Sequence, residues 1–165
     1  MELDVTHNPQ LATLNIGDTK VKTLDISKNP NLKQLSCYMT NIAELDVTKN
    51  TKLTRLFCHD TTIKKLDLSN NLELEMLRCG EIFEQGIRGL DISKNTKIKK
   101  LICDDLYWLN VGENKVLENN HAFVGNGYID IKGNKLQTPR TPFDKLPASG
   151  VLSRHCPYLL LLKLI

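Results

Sequence analysis

The sequence predicts a mainly β solenoid with two short strands per 21-residue turn and little or no helix. Two observations predict it. The stretch LDISKN at Leu24 recurs as LDVTHN at Leu3, LDVTKN at Leu45, LDLSNN at Leu66 and LDISKN at Leu90, in three steps of 21 residues and one of 24. A fixed period in this range marks units that bury their apolar edge only against their neighbours. Each unit also contains an apolar step of period 2, the pattern of a short strand with one buried face.

Two strands can be written for each turn. The first is LxxLxC, as in Leu32 to Cys37 and Leu53 to Cys58; the second is IxxLDV, as in Ile42 to Val47 and Ile63 to Leu68. Corners lie between them. The corner after the second strand carries Asn8, Asn29, Asn50, Asn71 and Asn95, and the one after the first carries Thr19, Thr40 and Thr61. Asn suits a bend because its amide serves unpaired backbone groups and it tolerates the left-handed region. Stacked amides of this kind predict an Asn ladder.

The sequence divides into a solenoid at residues 1–111, degenerate terminal turns at 112–138, and a non-repeat tail at 139–165, expected to be disordered or non-native. LNVGEN at Leu109 and IDIKGN at Ile129 keep the LDISKN position, with LENNHAFVGNG fitting poorly between them, and 112–138 is read as one or two degenerate turns. Four of the six prolines fall in the tail, and proline at that density breaks strands. Three residues are inserted within 79–89, where a loop could join a binding surface or be tolerated drift. The chain opens inside a repeat and shows no signal peptide, so it reads as an excerpt of a longer protein. The apolar run at its end is too short to span a bilayer.

The net charge is +3, yet residues 1–110 carry 15 basic and 15 acidic side chains. A neutral coil lacks the basic footprint of a nucleic-acid binder, so no nucleic-acid partner is expected; no transmembrane segment is expected either, and the chain is read as a monomer.

Cysteines at regular spacing suggest metal or disulfides, and Cys37, Cys58, Cys79 and Cys103 occupy the same point of four turns. Four equivalent sites about 4.8 Å apart form a line, which cannot close a tetrahedron around zinc. Their parallel Cβ vectors do not favour disulfides. A structural ladder of buried thiols is the reading adopted, with no metal and no cofactor. A second ladder, Asp4, Asp25, Asp46, Asp67 and Asp91, points outward and needs an offset to its charge. Calcium is one candidate. The hydroxyls of Thr6, Ser27, Thr48, Ser69 and Ser93, with backbone groups, are the favoured one, because the repeat lacks the glycine-rich turn of calcium-binding coils. His7, His59, His121 and His155 have no ligand spacing, and nucleophile elbow, phosphate loop and paired carboxylates are absent, so no catalytic residues are assigned.

Ligand recognition is expected on the outward columns of the LxxLxC strand, where stacking leaves residues free to vary. These columns give Ser36, Phe57, Arg78 and Ile102 in one line, and Tyr38 and His59 in the next. Tyr38, Phe57, His59 and Arg78 together predict an exposed patch of two aromatics and two cation-capable groups, types enriched at binding hot spots.

The units LKQLSCYMTNIAELDVTKN and LTRLFCHDTTIKKLDLSNN resemble the leucine-rich-repeat family. Specifically, they look like the 21-residue LxxLxCxxxxIxxLDxSxN type found in secreted or surface proteins of Bacteroidetes and related bacteria, and are similar to internalin-like repeats. The resemblance implies a non-catalytic module that binds a protein or glycan and is exported to the cell surface. An alternative is the recognition segment of a larger enzyme or effector. LPASG at 146–150 is similar to the LPxTG sorting signal, with Ser149 in place of Thr.

Overall fold

The computed structural model describes residues 2–80, 86–104, 106, 108–112, 114 and 122–124. The insertion expected within 79–89, most of the turns at 112–138 and the tail at 139–165 lie outside the described residues.

The short strands follow the repeat. They are β1 (Glu2–Asp4), β2 (Thr13–Asn15), β3 (Thr23–Asp25), β4 (Gln34–Ser36), β5 (Arg55–Phe57), β6 (Met76–Gly80), β7 (Gly89–Asp91), β8 (Lys100–Asp104), β9 (Trp108–Asn110) and β10 (Ala122–Val124). The LxxLxC strands form one parallel six-stranded sheet in the order β2-β4-β5-β6-β8-β10. Leu14, Leu35, Leu56, Leu77 and Leu101 stand in register across it, and Cys79 faces Cys103. A parallel ladder needs a long crossover between partners, and here each crossover is the remainder of one turn. The chain is therefore a β solenoid of about five turns, without helix among the described residues.

The other side of the coil is less regular. β1 pairs with β3 and β7 with β9, but residues 44–46 and 65–67 occupy the same register position without forming strands. The second predicted strand is thus present only at the ends of the described stack. Stacking continues there through Asn and Thr side chains and corner hydrogen bonds rather than a strand ladder.

The core is the line of inward residues. Leu35, Leu56, Leu77 and Leu101 are fully buried, and Ile42, Val47, Ile63, Leu68 and Ile92 fill the opposite wall. The register also extends past the clear repeat. Ala122 stands opposite Leu101 and Val124 opposite Cys103, which places AFV as the next LxC strand in a stretch that fits the motif poorly.

Both corners differ in detail from expectation. The Asn amides do not bond one another. Asn50 Nδ2 donates to Ile26 O at 3.0 Å and to Asn29 O at 2.9 Å, and Asn29, Asn71 and Asn95 repeat the pattern onto the turn before. Asn114 continues it by donating to Asn95 O at 2.9 Å. Each amide spans one turn and meets two carbonyls that converge at the bend, so a backbone ladder replaces the side-chain ladder. The Oδ1 atoms of Asn29, Asn50, Asn71 and Asn95 have no partner among the described residues, which makes the amide a pure donor here. Asn8 shares the column but is exposed. The left-handed non-glycine residues sit in the other corner, at Asp18, Met39 and Asp60, with φ of 57°, 52° and 54°, while in the Asn corner only Gly112 among the described residues takes such a φ, at 55°. Each is followed by a Thr whose hydroxyl donates back three residues, Thr40 Oγ1 to Cys37 O at 2.7 Å and Thr61 Oγ1 to Cys58 O at 2.8 Å.

Candidate functional site

An inward Leu and Cys leave the residues on either side of them pointing out, because side chains alternate along a strand. The outer face of the six-stranded sheet is built this way. From β4 it presents Gln34, Ser36 and Tyr38; from β5 Arg55, Phe57 and His59; from β6 Met76 and Arg78; from β8 Lys100 and Ile102. Ser36, Tyr38, Phe57 and Ile102 are half-buried and Arg78 is exposed. Period 2 also puts Gln34, Arg55, Met76 and Lys100 on this face. That column is missed when only the two positions flanking each Cys are read, although counting back two residues finds it.

His59 is the exception among the predicted patch. It is 8% exposed, so its expected place in an exposed patch is corrected. Its ring stacks on Tyr38, with centroids 5.1 Å apart and planes 10° from parallel. Tyr38 in turn lies across Gly17, where an added Cβ would meet the phenol ring at 2.3 Å. Gly17 is what lets the Tyr ring lie flat on the neighbouring turn. Burial and the Arg78 charge lower the His59 pKa, against the pull of Asp60. The imidazole Nδ1 has no partner among the described residues, and Nε2 stands 4.0 Å from Asp60 Oδ2.

Cys37, Cys58, Cys79 and Cys103 are buried thiols in no disulfide, and Cys79 and Cys103 touch through their sulfurs at 2.8 Å. Burial pushes the Cys37 thiol up to about 12 and the Cys58 thiol well above its ordinary value. A thiol that stays protonated acts as a small apolar group, not as a thiolate ligand. The outward aspartates find the offset expected of them. Thr48 donates its N–H and its hydroxyl to Asp46 Oδ1 at 2.8 and 2.6 Å, and backbone N–H groups of Thr6, Ser27, Ser69 and Ser93 do the same for their own aspartates. These bonds lower the aspartate pKa values. Among the described residues no group of three His, Cys, Asp or Glu side chains is placed to hold a metal. No described helix is long and apolar enough to cross a membrane.

Parallel LxxLxC strands at a 21-residue period, with a thiol at the same point of successive turns, define the class: the fold is an internalin-like leucine-rich-repeat solenoid. In particular, the chain is similar to the solved functional domain of InlJ from Listeria monocytogenes, which includes a cysteine ladder. The two share 28% identity at a TM-score of 0.55, covering 76% of this chain and 32% of that one. No family model and no curated protein matches the chain.

Proposed function

We propose that this chain is a non-catalytic binding module, which engages a protein or glycan ligand through the outer face of the six-stranded sheet. One observation carries the reading. Stacking holds the inward Leu and Cys constant from turn to turn, while the outward positions change from Gln34 and Ser36 to Arg55 and Phe57, then to Met76 and Arg78. Constant interior and varied face are what a recognition scaffold requires. Tyr38, Phe57 and Arg78 supply the anchors, Ser36 and Ile102 flank them, and His59 of the next turn is the ring against which Tyr38 stacks. The internalin-like fold supports the binding-module reading; export to a bacterial surface and action as a monomer are part of the same proposal.

The test is a binding screen of the purified chain against extracellular proteins and glycans, comparing wild type with Tyr38→Ala/Phe57→Ala. Loss of a ligand by about tenfold or more, with unchanged circular dichroism, is the expected outcome. A ligand held equally by both proteins overturns the assignment to this face.

A further inference from the structure

The two halves of the sheet's outer face differ in charge. β2 and β4 present Thr13, Asn15, Gln34 and Ser36, all neutral. In the two columns that continue from Gln34 and Ser36, the next three strands each place one cation and one apolar side chain, and the order reverses at every step: Arg55 then Phe57 on β5, Met76 then Arg78 on β6, Lys100 then Ile102 on β8; one position further out, Gly80 of β6 stands opposite Asp104 of β8. Register makes this a checkerboard, since Arg55 pairs with Met76 and Met76 with Lys100, while Phe57 pairs with Arg78 and Arg78 with Ile102.

The three cations are exposed and the three apolar side chains half-buried. None of the cations has a carboxylate partner among the described residues. Glu73 and Glu75, which precede β6, are taken by other lysines, Glu73 by Lys97 at 2.6 Å and Glu75 by Lys99 at 3.1 Å. With strands about 4.8 Å apart and alternate residues about 6.6 Å apart along each, neighbouring cations stand about 8 Å from one another. An apolar side chain therefore fills each gap between charges.

We propose that the β5, β6 and β8 half of the face docks an acidic protein surface on which carboxylates alternate with apolar side chains. A polyanion such as a sulfated glycan would match the charges but leave Phe57, Met76 and Ile102 facing sulfates and water. A protein surface of alternating character satisfies both sets, with ion pairs setting encounter and register and the apolar contacts adding burial. The inference rests on the reading of this sheet face as the binding surface and adds its partner class.

Three probes test it on the intact chain: an alternating Glu-Leu peptide of about eight residues, long enough to cross the three strands, a poly-glutamate of the same length, and heparin. The expected result is tighter binding of the alternating peptide than of poly-glutamate by about tenfold, weakening with salt as exposed charge pairs do. Arg55→Glu/Arg78→Glu should abolish both interactions. Met76→Ser/Ile102→Ser should bring the alternating peptide down to the poly-glutamate level and leave poly-glutamate unchanged, with circular dichroism showing both variants folded. Equal binding of the two peptides, binding of heparin alone, no binding of the alternating peptide, or indifference to charge reversal each overturns the proposal. None of those results decides the broader reading, which the Tyr38→Ala/Phe57→Ala screen reads separately.

Discussion

The two corners of each turn use side-chain hydrogen bonds differently. At the corner after the LDxS element, Asn50 donates to Ile26 O and Asn29 O, both in the preceding turn. At the corner after the LxxLxC strand, Thr40 donates to Cys37 O, three residues back in its own turn. The Asn corner holds turns together, and the Thr corner shapes a turn. A solenoid is stabilised by the interfaces between repeats as well as by each repeat, so the same chemistry should matter more at the first corner than at the second.

Asn50→Ala is the strongest way to break that contrast. Ile26 O and Asn29 O each keep one backbone partner, Asn29 N and Leu32 N, so neither carbonyl is fully orphaned. Two bonds are lost and a buried space is left, for an expected destabilisation of about 2–4 kcal/mol by chemical denaturation. Asn8→Ala is the internal control. Asn8 is exposed, and its replacement should cost less than about 0.5 kcal/mol. Equal effects at the two positions would show that the amide's span to the preceding turn is not what stabilises this corner.

Thr40→Val should cost about 1 kcal/mol, because the methyl preserves volume while Cys37 O loses one donor. A cost equal to that of Asn50→Ala would remove the distinction between corners. Beside it, Met39 has φ of 52° and a side chain 54% exposed, so it pays left-handed strain without a packing return. Met39→Gly should relieve that strain and stabilise by about 0.5 kcal/mol, the gain being reduced by the greater freedom of glycine when unfolded.

The contrast also explains what was legible beforehand. Leu35, Cys37 and Asn50 were readable because stacking demands the same residue type at the same point of every turn. The Thr corner was harder. Its left-handed residues are Asp18, Met39 and Asp60, which share a backbone shape but no side-chain chemistry, and the shape was expected at the Asn positions instead. The buried His59 was illegible for a related reason. Its environment is a contact between variable positions, Tyr38 lying across Gly17, which no repeat average contains. The β10 strand was missed because AFV holds the register without Leu or Cys. On the outer face, the Arg55, Met76 and Lys100 column follows from period 2 alone, and only the cross-strand pairing within it and within the Phe57, Arg78 and Ile102 column needed the observed register.

Acid should separate the two sides of the turn by pH. His59 has its pKa lowered by burial, with the Arg78 charge adding to the effect, so the unfolded chain takes up a proton first as pH falls through the ordinary value of 6.5. The stabilisation from a neutral His59 is complete above 6.5 and declines below it. Asp46 and its counterparts are lowered beneath 3.8 by bonds from Thr48 and its equivalents, so their contribution is complete above 3.8 and is lost as pH falls through and below it. The melting temperature should therefore fall in two windows, a shallow one starting near 6.5 and a second one starting near 3.8. His59→Gln should flatten only the first, and Asp46→Asn should reduce only the second. A His59→Gln protein that keeps the first slope would mean that the stacked ring on the sheet face is not what titrates, and that the two sides of the turn share one response to acid.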